Sequence, residues 1–267
     1  MLHTLRNWFS ATCLILVLTG CAGPVPKIDL APAAMTNVKT IAVVRTPEPA
    51  QYSVMNFGHP GMALGLIGGA MVAADTNAKQ QKLTQVYNDN KVAVCAELSR
   101  LVAERLNAAG YQAHVEDQPW KRVDGKDALQ FKDIKSNADA VVVLSPTVLG
   151  FVATGLAGGY NNDYLPTLAV VVNVLGTDRE KPLYRGYHVT GWELKAEGWH
   201  FTKPKARYPS FDLITDKPKE SAAALADAAA AIVDSVIEDL RAQKGLPMAP
   251  PAAPVVAELD GDNGKPH

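Results

Sequence analysis

A mixed α/β domain, built on a mixed sheet of about five strands packed by helices, is what this sequence predicts. Three observations lead there. Short β-branched runs alternate with stretches of helical periodicity, two apolar runs flank a polar turn in the manner of a hairpin, and one long stretch near the end carries every start and stop signal of a helix. With 48% hydrophobic and 20% charged residues, a chain of 267 can bury a substantial core. Its 26 basic and 27 acidic side chains leave a formal charge of -1, so no global basic field draws it to nucleic acid.

The elements follow in order. KTIAVVR, Lys39 to Arg45, is a short β-branched run and reads as the first strand. Leu83 to Asn107 is mainly helical, with Cys95, Leu98, Val102 and Leu106 on one face and Gly110 placed as its C-cap. YQAHVED then alternates Tyr111, Ala113 and Val115 against polar residues, which completes a strand, helix, strand unit expected to cross over right-handedly. ADAVVVLSPTVLGFV is an almost continuous apolar run, the mark of a strand covered on both faces, and belongs at the sheet centre. LPTLAVVVNVLG and PLYRGYHVTGWEL make two more strands around the polar turn TDREKP. The last element starts at Pro218, carries the stripe Leu225, Ala229, Ile232, Val236 and Leu240, and ends through Arg241, Lys244 and Gly245.

The ends of the chain read differently from its middle. MLHTLRNWFSATCLILVLTGCAG opens with Arg6 and the terminal amine, continues through the apolar run Ala11 to Leu18 and finishes in small residues, the layout of a secretory signal peptide over residues 1–20. The apolar run is too short to span a bilayer permanently. Its end, Leu18-Thr19-Gly20-Cys21, resembles the lipobox of bacterial lipoproteins. That resemblance implies a mature chain beginning at Cys21, whose thiol carries a diacylglyceryl group and whose amine is acylated, for instance with palmitate. Each buried methylene of such chains contributes about 0.8 kcal/mol, so several chains together make a durable membrane anchor. Ala22 stands where an aspartate would favour inner-membrane retention, so the same resemblance points to the outer membrane, periplasmic face.

Residues 21–38, rich in proline and alanine, read as a lipidated tether, and 246–267 as a disordered Pro/Ala-rich tail, leaving 39–245 as the folded domain. The DGDNG of the tail lacks the glutamate that closes an EF-hand loop. With Cys13 in the signal and Cys21 acylated, Cys95 stands alone in the mature chain and reads as a core residue, with no basic neighbour placed to activate it.

The succession of lipobox, tether, KTIAVV strand, a helix ending Leu106-x-x-x-Gly110-Tyr111, Ala138-Asp139-Ala140-Val141-Val142 and a hairpin leading into Pro182-Leu183-Tyr184-Arg185-Gly186 resembles the superfamily of envelope lipoproteins related to the curli-secretion channel and the N-terminal domain of TolB. The resemblance spans roughly Lys39 to Lys244 and implies compartment and architecture more than activity. It does not account for the glycine-rich insertion at 58–75 or for its echo GLAGGY, Gly155 to Tyr160.

No sequence motif of catalysis is present: no G-x-S-x-G, H-E-x-x-H, paired C-x-x-C, Walker or G-x-G-x-x-G pattern. His59, His114, His188, His200 and His267 are far apart without ligand spacing, so each reads as a surface or structural histidine, and no metal or cofactor beyond the lipid on Cys21 is expected. Two stretches do draw the eye as contact surfaces. In GMALGLIGGAMVAAD, Gly61, Gly65, Gly69 and Ala73 recur every four residues, the geometry of a glycine zipper. Gly61 to Ala74 is too short to cross a bilayer and too glycine-rich for a solitary helix, which leaves a partner or membrane contact or a flexible loop.

The second stretch runs from Tyr184 to Phe211, where seven of the chain's 4 Trp, 8 Tyr and 6 Phe are gathered with Lys203, Lys205 and Arg207 among them. Tyr187, Trp192, Trp199, Phe201 and Tyr208 are its candidate recognition surface; the competing reading is a long loop fastened to the sheet by aromatics. The functional expectation is therefore a non-enzymatic, lipid-anchored envelope protein that binds another envelope component. A self-assembling pore or scaffold of the curli-channel type is the alternative, and an enzyme of unrecognised type is the third.

Overall fold

The computed structural model describes residues 26–59, 65–123, 126–153, 155, 162–191 and 198–244. Cys21, Gly61 and Trp192 lie outside them, as do the expected signal and the expected C-terminal tail.

Nine strands are described: β1 (Thr40–Val44), β2 (Ser53–Asn56), β3 (Gln112–Glu116), β4 (Lys121–Val123), β5 (Lys126–Ala128), β6 (Ala140–Ala153), β7 (Tyr164–Leu175), β8 (Pro182–Thr190) and β9 (Trp199–Thr202). The helices are α1 (Gly65–Asp89), α2 (Val94–Ala108), α3 (Phe211–Asp216) and α4 (Pro218–Lys244). The fold class is as expected, a mixed α/β layer, but the main sheet has seven strands rather than about five, in the order β3-β1-β6-β7-β8-β9 with β2 also on β6. The two strands not anticipated in it, β2 and β9, are four residues each, too short to show a periodicity.

β6 is the backbone of the sheet. β7 runs antiparallel along its whole length, while its other edge is shared by two parallel strands, β1 at Ala140–Val142 and β2 at Gly150–Ala153. Gly150 permits the second of these: a Cβ there would sit 1.9 Å from the Ser53 carbonyl oxygen. Pro146, which has no N–H to give the ladder, marks a bulge, and Thr147 slips out of register with its hydroxyl donating to the Ala169 carbonyl.

Both faces of this centre are covered, as the unbroken apolar run predicts. On one face Ile41, Val43, Val142 and Leu144 meet Leu98, Val102 and Leu106 of α2 and Ile232 and Val236 of α4 in the main core. On the other, Ala42, Val44, Val141 and Val143 pack with Ile134 and Leu175, roofed by Trp120, Leu129 and Phe131. The stripe Leu225, Ala229, Ile232, Val236 and Leu240 of α4 is buried throughout, as is the Cys95 face of α2.

The single helix expected over Leu83 to Asn107 is two. α1 ends at Asp89 because Lys91 takes φ 54, letting Lys91 N–H donate to the Asn88 carbonyl and Val92 N–H to the Tyr87 carbonyl. That is a Schellman stop made without glycine, where Asn90 also turns its amide onto the Val86 carbonyl. α2 ends by the same device with the expected Gly110, at φ 93. Its start is capped from a distance: Glu48 accepts from the Cys95 and Ala96 N–H groups at 2.7 and 3.0 Å.

The glycine-rich stretch is helical from Gly65 onward, continuous with the rest of α1 and not a separate loop. Gly69, Ala73 and Met71 are exposed there, and a Cβ on Gly69 would meet nothing within 4 Å, so no described part of the protein packs on that face. Among the described residues no helix is long and apolar enough to cross a membrane.

Part of the expected tether is laid onto the domain. Ile28 exchanges backbone hydrogen bonds with Arg185 at 3.0 and 2.8 Å, and Leu30 and Met35 are buried in the main core. The turn TDREKP is likewise more than solvated punctuation. Arg179 within it is buried, and its guanidinium donates to the carbonyls of Leu175, Gly176 and Ala138, tying the hairpin to the start of β6.

Candidate functional site

The edge of the sheet at β8 and β9 brings chemistry-bearing residues to both of its faces. The two strands are parallel, with Tyr187 opposite Trp199, His188 opposite His200 and Val189 opposite Phe201. Because side chains alternate, one register sends the aromatics to one face and the histidines to the other.

On the aromatic face, Tyr187 stacks on Trp199 with ring centres 5.4 Å apart, and Trp199 on Phe201 at 6.2 Å. Lys203, Lys205 and Arg207 follow directly and are exposed. Three of the five candidate recognition residues are thus assembled. Tyr208 is not with them: its ring meets Phe151 edge-on at 5.4 Å, and its backbone pairs with Tyr164 at 2.7 and 2.9 Å, so it fastens the segment after β9 to the core. Trp192 lies outside the described residues. Of the candidate zipper residues, Gly65 begins α1, and Gly69 and Ala73 are exposed on that helix, not on β8 or β9.

The other face holds a group that sequence spacing did not reveal. His188, read from the sequence as an isolated histidine, lies ring on ring with His200 and beside Asp239 of α4, their ligating atoms all within 4.8 Å of one another. The reading of these two histidines as unrelated is corrected by the parallel register, which sets them opposite each other despite the eleven residues between them. Tyr184 sits among them, its hydroxyl donating to Asp239 Oδ2 at 2.7 Å and lying 2.8 Å from His188 Nε2. Gly186 makes room for this, since a Cβ there would come within 1.9 Å of the Tyr184 hydroxyl.

α4 supports the group from one face at i, i+4 and i+8. Ser235 Oγ lies 3.0 Å from His188 Nδ1, Asp239 supplies Oδ2, and Gln243 donates to Asp239 Oδ1 at 2.9 Å. Gln243 in turn accepts from the Leu30 N–H, so the N-terminal segment locks the assembly from outside. In sequence Ser235, Asp239 and Gln243 form a polar line at i, i+4 and i+8 beside the apolar stripe of α4, a pattern the sequence reading passed over.

The electrostatics follow from burial and contact. Burial pushes His188 down to about 3, helped by the neighbouring His200, so its imidazole is neutral at ordinary pH. Burial acts to raise the Asp239 carboxyl, but the hydrogen bonds from Tyr184 and Gln243, with His200 and Lys27 nearby, outweigh it and hold it below the usual carboxylate range. Burial and the bond to Asp239 push the Tyr184 hydroxyl up, so it remains a donor. His200 Nε2 is 3.3 Å from Asp239 Oδ2 without the alignment of a hydrogen bond, and this buried nitrogen has no hydrogen-bond partner among the described residues.

Cys95 is buried, and burial together with Glu48 pushes its thiol up, away from reactivity. A broad open cleft of about 920 Å³ lies at the opposite edge of the sheet beside Thr40, His114, Glu116, Lys135 and Arg179. Arg179 is spent on backbone carbonyls there.

No protein-family model matches this chain, and no curated protein matches it. Among solved structures, a PelC dodecamer from Paraburkholderia phytofirmans is similar over 81% of this chain and 95% of that one, at 12% identity and a TM-score of 0.31. A TM-score this low does not establish a shared fold.

Proposed function

We propose that the chain is a lipid-anchored cell-envelope protein, non-enzymatic, that binds another envelope component through the aromatic and basic edge at β9 and so supports envelope assembly or maintenance. The observation that carries this reading is where the chain enters the fold. Ile28 is already paired to Arg185 of β8, and the Lys27 side chain comes 3.9 Å from where a Cβ of Gly198 would stand, just before β9. Only five residue steps separate Cys21 from Pro26, a reach of about 17 Å at full extension. An acylated Cys21 therefore holds the β8–β9 edge close to the bilayer surface. Trp199, Phe201, Lys203, Lys205 and Arg207 are then presented where stiff aromatics and cations meet headgroups or a membrane-bound partner.

The outer membrane, periplasmic face, is the proposed address. Metabolic labelling with radioactive palmitate and membrane fractionation test it: label and outer-membrane recovery are expected, and both are lost on Cys21→Ser. A soluble, unlabelled wild-type protein would overturn the reading.

A self-assembling pore or scaffold is the second reading, favoured by the exposed Gly69 and Ala73 of α1, with open space within 4 Å of a Cβ on Gly69. Light scattering of the acylated protein in detergent separates the two: a monomer refutes self-assembly, and a defined oligomer supports it.

A further inference from the structure

We propose that His188, His200 and Asp239 form a binding site for a divalent transition-metal ion of the zinc or copper class. Two imidazoles and a carboxylate are the donor set such ions take, and hard oxygen-seeking cations such as calcium do not favour it. The site is independent of the lipid anchor and of the aromatic face.

Three features distinguish it from a chance meeting of polar side chains. The first is convergence: Nε2 of His200 is buried without a hydrogen-bond partner among the described residues and lies 3.3 Å from Asp239 Oδ2. A buried polar atom left in this way is costly unless something binds it. The second is outer support. His188 is held through Nδ1 by Ser235 and Asp239 through Oδ1 by Gln243, while His188 Nε2 and Asp239 Oδ2 both meet the Tyr184 hydroxyl, at 2.8 and 2.7 Å, where the three donors converge. This is the arrangement by which ligands are oriented from behind. The third is access: the His200 side chain is 31% exposed and Asp239 11%, so an ion can enter on the His200 side, whereas His188 is closed off.

The geometry asks for a small movement. Ligand atoms of a tetrahedral zinc site stand about 3.3 Å apart; His200 Nε2 and Asp239 Oδ2 already do, and the three donors span at most 4.8 Å, so closing the site takes no more than about 1.5 Å. His188 must present Nε2 as a lone pair. With the Tyr184 hydroxyl donating to Asp239, the His188 proton sits on Nε2 and donates to the Tyr184 oxygen, so ion binding moves that proton to Nδ1, which Ser235 allows because its hydroxyl accepts as readily as it donates. Tyr184 keeps its hydrogen bond to Asp239 and gives up the one it shares with His188 Nε2 to the ion.

The test uses the full chain, purified in detergent without a polyhistidine tag, stripped with a chelator and titrated with zinc chloride or copper chloride against a chromophoric competitor. A single ion per chain is expected. His200→Ala and Asp239→Asn should each weaken binding by about tenfold or more, and Ser235→Ala by about tenfold, whereas His267→Ala leaves it unchanged. Near-ultraviolet circular dichroism establishes that each variant is folded. Absence of binding by the folded wild type, or binding of equal strength in folded His200→Ala and Asp239→Asn, would overturn the proposal.

Discussion

His188 lies face to face with His200, ring centres 4.7 Å apart and planes 12° from parallel, because the parallel register of β8 and β9 sets the two residues directly opposite. The stack is possible only because β8 carries no side chain at Gly186, where Tyr184 folds its hydroxyl back toward His188. Gly186→Ala forces a methyl into the space held by that buried hydroxyl. We expect a loss of about 1–3 kcal/mol in stability by urea unfolding, the usual cost of overpacking. Unchanged stability would mean that Tyr184 moves aside freely.

Glu48 fastens the loop after β1 to the start of α2, accepting two backbone N–H groups of that helix and the hydroxyl of Tyr52. Glu48→Ala should cost about 1–2 kcal/mol, comparable to the loss of a strong helix cap. Glu48→Gln, which keeps an acceptor oxygen, should recover part of that loss in the same melt.

Asp139 joins the first residues of β1 and β6. Its Oδ2 accepts from Thr40 N–H, Lys39 N–H and the Thr40 hydroxyl, which hold the carboxyl below its ordinary range. A lowered pKa means that the folded state binds its proton less readily than the unfolded state. The contribution to stability is therefore full above the unfolded carboxylate pKa of about 3.9 and is lost as pH falls through the lower folded value. Asp139→Asn should lower the melting temperature at pH 7 and flatten its fall between pH 5 and pH 2; an unaltered acid profile would refute this.

Gly69 lies in the helical part of α1 facing open space. Gly69→Ala should therefore raise stability by about 0.5–1 kcal/mol, since alanine restricts the unfolded chain without meeting an obstacle. Replacing Gly65 and Gly69 by leucine probes the same face for a partner. Lost oligomers or lost membrane association with an intact fold would identify it as a contact surface, and no change would leave it a solvated helix face.

Lys203, Lys205 and Arg207 are exposed, and reversing all three to glutamate should leave the melting temperature within about 2 °C of wild type. Chemical cross-linking of the anchored protein to envelope components should fall severalfold, because rim charges act on association more than on folding. Undiminished cross-linking would move the binding surface away from β9.

Much of the architecture was legible because it depends on local rules. The run Ala140 to Leu144 is apolar on both parities and had to be covered on both faces, and it is, by α2 and α4 on one side and by Trp120, Leu129 and Phe131 on the other. Gly110 ends α2 with φ 93 as its position promised. The break at Lys91 was hidden because a non-glycine residue took the left-handed conformation there, and the short strands β2 and β9 were hidden because four residues carry no usable period.

The sequence by itself determined the alternation of strands and helices, the buried stripe of α4, the buried Cys95 and the expectation of an acylated Cys21, since each follows from residues adjacent in the chain or repeated at one fixed spacing. Only the tertiary structure decided that His188, His200 and Asp239 meet, that Tyr187, Trp199 and Phe201 stack while Tyr208 belongs to the core, and that the segment around Ile28 lies on β8. Strand pairing and helix docking join residues through sheet register and packing, and neither leaves a trace in the spacing of letters along the chain.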